Sequence, residues 1–464
     1  MSSQSKENNQ SSQRQVVIIG GVAAGMSCAA KLSREAPDTH ITVFEQGEHI
    51  SYGACGLPYY VGDVIEDHHK LIVKTPEDFK DTNIIVNTRH QVLEVFPKEK
   101  KILVKPLELD TQKEEDTFHQ PYDQLVIATG AAPSIPPFAK DALGNVFTLR
   151  DINDGLLMKN AALQPTVKDV VILGSGYIGM ELVESFHSLG KNVRVINRSD
   201  RLMKTFDPEI RELVRRELEN KGVLLSLNEQ VEELLSDDEG RVRGVKTDQQ
   251  EYPAQLVVVA TGVKPSTEFL EGTGIETLKN GAIIIDEKMR TNLEDIYAAG
   301  DCATLWHRQL QQPVHIPLAT YANRQGRLLA EILAGKDVSF PGGIGASMVK
   351  ILDITLSQAG LSEAQAKKAD INFKTSFIKG YSHAGYYPGS TPLYIKLLFD
   401  PDTQVVLGAQ LAGEKGAALR IDALSIAIDQ GLTLNELAYS DFAYTPPYSG
   451  AWDPIQIAAN VALG

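Results

Sequence analysis

Short β-branched runs that end at a glycine recur along the first two thirds of the chain. The first is QVVIIG, Gln15 to Gly20. Its continuous apolar character suits a strand buried on both faces of a parallel sheet. The turn GGVAAG, Gly20 to Gly25, follows, then a helical stretch opened by small residues (Met26, Ser27, Cys28, Ala29, Ala30), then a strand at Ile41 to Glu45 that ends in a carboxylate. The same order returns as a strand at Val170 to Leu173, the turn GSGYIG at Gly174 to Gly179, a helix to about Leu189 and a strand at Asn192 to Ile196. Two shorter signals, LVIATG (Leu125 to Gly130) and VVVATG (Val257 to Gly262), bracket this second unit and mark the crossings between two domains. Asp207 to Gly222 is a charged amphipathic helix, and IYAAGDCATL, Ile296 to Leu305, is a strand ending at Gly300-Asp301. From about Phe340 the pattern changes to ITLSQAG, INFKTSFI, LYIKLLFD and VVLGAQL, then a helical stretch from Lys415 to Gln430.

The expectation is an α/β chain with two Rossmann-like dinucleotide-binding domains and a C-terminal α+β domain. The predicted boundaries are a disordered tail at 1–14, the first part of the first domain at 15–149, the second domain at 150–263, a return to the first at 264–336 and the C-terminal domain at 337–464.

Each strand–glycine turn–helix unit offers backbone N–H groups and a helix N-terminus to a pyrophosphate. In the first, Gly20 and Gly25 frame the turn, Val22 stands where a second glycine is usual, and Glu45 is placed to accept hydrogen bonds from an adenosine ribose. In the second, Gly174, Gly176 and Gly179 complete G-x-G-x-x-G, but the next strand delivers Asn197 and Arg198 where an acid would bind the 2′-hydroxyl of NAD. An arginine suits the 2′-phosphate of NADP, so Arg198, with Arg201 and Lys204 beside it, favours NADPH, with NADH as the alternative. Gly130 closes the first crossing. Asp301 ends a strand at the carboxyl edge where open sheets bind ligands, or else caps a following helix.

Composition narrows the class. The chain has 464 residues, 43% apolar and 23% charged, with a net charge of −15. That field disfavours nucleic acid and anionic membrane surfaces as partners. No run approaches the ~20 apolar residues of a membrane-spanning helix. The opening MSSQSKENNQSSQRQ has no secretory character. Three cysteines, Cys28, Cys55 and Cys302, make no disulfide framework, and no Cys or His pair has zinc spacing. The expectation is a cytoplasmic, metal-free protein.

The order of first fingerprint, ISYGACGLPYY, ATG, GSGYIG, ATG, AAGD and an α+β tail resembles the two-dinucleotide flavoprotein disulfide reductases. SYGACGLPYY and the closing YTPPYSGAWDP resemble the coenzyme A-disulfide reductase branch. The resemblance covers Gln15 to Gly464. It implies FAD on the first domain, NADPH on the second, coenzyme A as substrate or mixed-disulfide ligand, and a homodimer built by the C-terminal domain. It implies Cys55 as the single redox cysteine. The glutathione reductase branch has a second cysteine five residues on, where this chain has Tyr60, and it has a terminal His-Pro pair that is missing near Tyr444. Independently of the resemblance, a helix after Cys55 would lower its thiol pKa. Cys28 and Cys302 are expected to be packing residues.

Tyr386 and Tyr444 match the two tyrosines that the branch places near the cysteine across the dimer interface, where a phenol can protonate a leaving thiolate. Glu181 resembles the family's glutamate near the flavin–nicotinamide contact, a solvent-facing position being the alternative. Ala23 stands where the oxidase and peroxidase branch has a histidine, which speaks against oxygen reduction. Ala54 replaces a common Asn, and Asn83 replaces a basic residue near the coenzyme A nucleotide. Lys31, Arg34 and Ser51 remain as candidates for the substrate. A persulfide or polysulfide reductase, a water-forming NAD(P)H oxidase and a flavin-bound redox sensor are the competing functions.

Overall fold

A computed structural model of the chain describes residues 13–107, 117–140 and 143–464. The expected N-terminal tail falls outside the described residues except at its end. There, Arg14 is fastened, donating to the Leu333 carbonyl at 2.7 Å and to Thr39 Oγ1 at 2.9 Å.

The β-branched runs form two parallel five-stranded sheets. The first has the order Ile296–Ala298, Gln124–Ile127, Gln15–Ile19, His40–Phe44, Ile84–Asn87. Its outermost strand thus comes from far beyond the second unit. The second sheet has the order Leu224–Leu227, Asn192–Asn197, Asp169–Leu173, Leu256–Val259, Val146–Phe147. The predicted boundary at 149/150 therefore falls after a strand that already belongs to the second sheet, pairing with Val257 and Val258. After each ATG signal the chain adds a short strand, Ala131–Pro133 and Val263–Pro265, and these two pair antiparallel. The outgoing and returning crossings are thereby stitched together.

Small residues let the helices approach closely. In the first helix, Ala23–Glu35, Cys28 and Ala29 are fully buried. The helix Ala319–Leu333 lies against it so closely that a Cβ on Gly326 would come within 2.2 Å of the Ala24 carbonyl oxygen. The third layer is an antiparallel sheet, Ser347–Ile351, Ile354–Gly360, Val406–Gly413, Pro392–Phe399, Lys374–Tyr381. The helices Ala417–Asp429 and Pro454–Leu463 pack on it.

Polar ties dock this sheet onto the second unit. Tyr177, next to Gly176, bonds Ser347 Oγ at 2.8 Å and Gln358 Nε2 at 3.0 Å. The Asp207 N–H donates to Gln410 Oε1 at 2.8 Å. Lys396 is buried among Asp207, Glu209 and Glu363. Among the described residues no helix is long and apolar enough to cross a membrane.

Candidate active site and family

Cys55 lies in the 3-10 turn Ala54–Gly56, ahead of the helix Leu57–Val61. It is exposed, whereas Cys28 and Cys302 are buried, and all three are free thiols. The segment is held from several sides. Gly53 N–H donates to the Leu71 carbonyl at 2.9 Å. Ser185 Oγ, on the helix Tyr177–Ser188, donates to the Pro58 carbonyl at 2.7 Å. Tyr60 is buried, its ring 4.2 Å from the Lys159 ammonium, which bonds Asp63 at 2.6 Å. The position of a second cysteine is thus filled by an aromatic packing residue.

The expected depression of the Cys55 thiol is not found. Desolvation pushes its pKa up, and the charges of Glu181 and Asp301 push the same way against one opposing backbone hydrogen bond. The following helix has only five residues, too few aligned peptide dipoles to offset the desolvation and the two carboxylate charges. Glu181 is half-buried, with the Tyr59 phenol close enough to influence its charge. Burial and the neighbouring Glu184 charge raise it to about 7, with Tyr59 opposing. Glu181 therefore belongs to the cysteine's surroundings. Glu181→Gln removes one of the charges holding the thiol up, so alkylation of reduced Cys55 should set in at lower pH than in the wild type. An unchanged pH profile would place Glu181 out of electrostatic reach of the thiol.

The two glycine turns superimpose in their logic. Gly20 and Gly174 both have φ +105, and a Cβ would meet the Ala128 oxygen at 2.2 Å and the Ala260 oxygen at 2.4 Å. A Cβ on Gly25 or Gly179 would meet the first glycine's own oxygen, at 1.9 and 2.6 Å. Gly176 faces open space, with nothing within 4 Å of a Cβ. Neither following helix has a side-chain N-cap or an acid in its first turn. Both N-termini therefore keep the unpartnered N–H groups that suit a pyrophosphate. Val22 at the middle position is itself the first helix's N-cap residue.

Glu45 lies just past its strand, accepting from Gly21 N–H and Gly47 N–H, both at 2.7 Å. A carboxylate has lone pairs left for a ribose. Gly130, at φ +67, follows the strand Gln124–Ile127 and also faces open space. Asp301 caps no helix, because a short strand, Leu305–His307, comes next. Its carboxyl is pushed up by burial, with His315 opposing.

Arg198 is exposed after the strand Asn192–Asn197, and neither it nor Arg201 or Lys204 has an ion pair among the described residues. Asn197 is used internally, donating to the Ser199 carbonyl at 2.8 Å.

The substrate candidates scatter more. Lys31 is paired with Glu35 and, at 3.3 Å, with Glu331. Arg34, in the last turn of the first helix, is exposed without an ion pair among the described residues. Ser51 supports the first glycine turn at φ +48, its N–H on the Gly21 carbonyl at 2.9 Å. Asn83 is structural, donating to the Thr39 carbonyl at 2.6 Å.

Tyr386 and Tyr444, 58 residues apart in sequence, are brought together with their hydroxyls 2.7 Å apart. They stand 76% and 47% exposed, and Tyr448 and Trp452, close to Tyr444 in sequence, are exposed as well, aromatic side chains of the kind that seek a partner. The hydrogen bond to Tyr444 raises the Tyr386 phenol. One cluster that no zinc-type spacing in the sequence signals is Asp67, His68 and His69, whose donor atoms lie within 4.8 Å of one another.

Residues 14–326 match the family of pyridine nucleotide-disulphide oxidoreductases, and residues 346–454 match that family's dimerisation domain. The chain belongs to this family. It is 37% identical over 450 residues to the NAD(P)H sulfur oxidoreductase (CoA-dependent) of Pyrococcus furiosus, across 97% of this chain and 99% of that one. It is 31% identical over 444 residues to the coenzyme A disulfide reductase of Staphylococcus aureus, across 95% and 98%. The crystal structure of reduced CoADR-RHD from Bacillus anthracis matches with a TM-score of 0.92 at 33% identity, covering 97% of this chain and 80% of that one. This pyridine nucleotide-disulphide oxidoreductase is therefore an enzyme of the type that works with FAD and NAD(P)H, and the glycine turns fit both groups.

Proposed function

We propose that this oxidoreductase uses NADPH to reduce coenzyme A disulfide, or a related low-molecular-weight disulfide, at Cys55. The observation that carries the reading is that the one accessible cysteine has no protein partner, the other two being buried. Its oxidised form must therefore involve a sulfur from outside the chain or a sulfenic acid.

FAD would be held by Gly20, Gly25, Glu45, Gly130 and Asp301, and NADPH by Gly174, Gly176, Gly179 and Arg198. The bound flavin supplies the transfer of an electron pair from the nicotinamide to sulfur. The chain's own residues do the rest. A mixed disulfide on Cys55 takes two electrons, releasing coenzyme A thiol and leaving the Cys55 thiolate. That thiolate attacks the disulfide substrate, one S–S bond forming as another breaks, and the departing thiolate takes a proton from Tyr386 or Tyr444 of the second subunit. The net change consumes one NADPH, one proton and one disulfide and yields two thiols. Of the two cationic candidates, Arg34, without an ion pair among the described residues, would take the 3′-phosphate end of the substrate, while Lys31 is paired with Glu35 and Ser51 shapes the turn.

A second reading has one observation in its favour, since the relative named for sulfur reduction is the more similar of the two cited. Anaerobic NADPH oxidation should therefore be compared with coenzyme A disulfide, cystine, glutathione disulfide and polysulfide, and repeated in air without any of them. Selective turnover with coenzyme A disulfide, faster with NADPH than NADH, is expected. Faster turnover with polysulfide would replace the substrate assignment, and turnover with air alone would replace the reaction.

A further inference from the structure

The two tyrosines stand on separate loops, and one side chain joins those loops. Arg420 lies in the helix Ala417–Asp429. Its Nη2 donates to the Ser382 carbonyl, at the root of the Tyr386 loop, and to the Tyr448 carbonyl, in the turn after Tyr444, both at 3.0 Å. Its Nε donates to Asp453 Oδ2 at 3.0 Å. Side-chain exposure is 14% for Arg420 and 9% for Asp453, so this is an enclosed pair rather than a surface one. Asp453 also accepts from Ser449 Oγ at 2.8 Å and caps the helix Pro454–Leu463 through Ile455 N–H at 2.9 Å. The backbone is shaped for the guanidinium: Gly416 sits at φ +80, and a Cβ there would lie 2.1 Å from Arg420 Nη1.

Both loops are closed units beyond the clamp. Ser382 N–H bonds the Thr391 carbonyl at 2.9 Å and Thr391 N–H returns to Ser382 Oγ at 3.1 Å, so displacing Ser382 displaces the loop that carries Tyr386. Tyr448 N–H bonds the Thr445 carbonyl at 3.0 Å, which ties the other carbonyl to the residue after Tyr444.

We propose that Arg420, oriented by Asp453, is a positioning residue that sets the separation and direction of the two phenols. The inference rests on the reading of Tyr386 and Tyr444 as proton donors. A guanidinium presents five donors in a fixed plane and can satisfy two carbonyls and a carboxylate together, whereas an ammonium on a flexible stem has no such fork. Small misplacement of a reacting group can cost on the order of a hundredfold in rate.

The test is a mutant cycle on the flavin-loaded dimer: Arg420→Lys, the Tyr386→Phe/Tyr444→Phe pair, and all three together. Flavin content and dimer mass are read on each. Arg420→Lys should lower kcat with coenzyme A disulfide about ten- to a hundredfold, with little change in KM and none in flavin reduction by NADPH. In the double-Phe background the same change should cost nothing further, since there is no phenol left to position. Asp453→Asn, which keeps an oxygen for the helix cap but loses the charge, should act in the same direction with a smaller loss. An impaired double-Phe enzyme beside an Arg420→Lys enzyme of wild-type turnover overturns the positioning role alone. An undiminished Arg420→Lys loss in the double-Phe background also overturns it. A double-Phe enzyme with wild-type turnover overturns the proton-donor reading and this inference together.

Discussion

Cys55→Ser should lose disulfide-dependent NADPH oxidation by three orders of magnitude or more, a loss on the scale seen when a nucleophile is removed from other enzymes. Reduction of the bound flavin by NADPH, followed by its absorbance, should continue, because neither glycine turn involves the cysteine. The same variant should lose the only thiol that reacts with an aromatic disulfide under native conditions. Cys28 and Cys302 are fully buried, and burial alone raises the Cys28 thiol to about 12, so neither can substitute as thiolate near neutrality. Cys28→Ser is the control and should keep turnover within a few-fold. Disulfide turnover that survives Cys55→Ser would show that electrons leave the flavin by another route, and the whole proposed cycle would fall. The upward shift of the Cys55 thiol makes the pH arm informative as well. A thiol held up by desolvation, and further by the Glu181 and Asp301 charges, gains its thiolate only as pH rises, so alkylation of the reduced enzyme should accelerate toward alkaline pH rather than plateau in the acid range.

Much of this was legible in the chain because local patterns carry it. A buried parallel strand must be apolar on both faces, and a glycine turn must leave room for its own carbonyl. QVVIIG and GSGYIG therefore announced their elements within a residue or two. The crossings were legible for the same reason, since each ATG run ends a strand. What pattern cannot carry is the pairing of distant polar groups. Nothing in the sequence links Arg420 to Ser382 and Tyr448, or Tyr177 to Ser347. Those partners come from elements that meet only when three layers pack. The sign of the Cys55 shift was missed for a related reason. The helix that follows the thiol is a local feature, whereas the desolvation of the thiol and the charges of residues 181 and 301 arise only when distant elements pack around it. Val146–Phe147 joins the second sheet although it precedes the predicted boundary at 149/150, because a two-residue edge strand has no period to detect.

Lys396 shows how such a long-range pairing governs stability, and its removal should have the largest structural effect. The side chain is 2% exposed, with Nζ 2.6 Å from Glu209, 2.5 Å from Glu363 and 3.5 Å from Asp207. Lys396 comes from the C-terminal sheet, while Asp207 and Glu209 open the helix of the second unit, so one cation docks the nucleotide-binding unit onto the C-terminal domain. Lys396→Met keeps the apolar stem but leaves three carboxylates facing one another. Breaking a buried ionic cluster by deleting one partner typically costs about 3–5 kcal/mol, so the urea midpoint at pH 7 should fall well below that of the wild type. The pH dependence separates charge from packing. In the wild type the lysine's raised pKa means that its contribution is complete below pH 10.5 and is lost on strong alkalinisation. The lowered Glu363 contributes above pH 4.5 and is lost on acidification. Asp207 runs the other way: burial raises its carboxyl even with the lysine present, so ionising it already weakens the fold as pH climbs above 3.8. Without the cation Asp207 and Glu363 lose the attraction that favours their ionised forms. The gap between variant and wild type should therefore be widest near neutrality and should close as pH falls through the carboxylate range. A gap of the same size at pH 7 and pH 4 would assign the loss to packing, and no gap at pH 7 would mean that desolvation of the cluster already cancels its attraction.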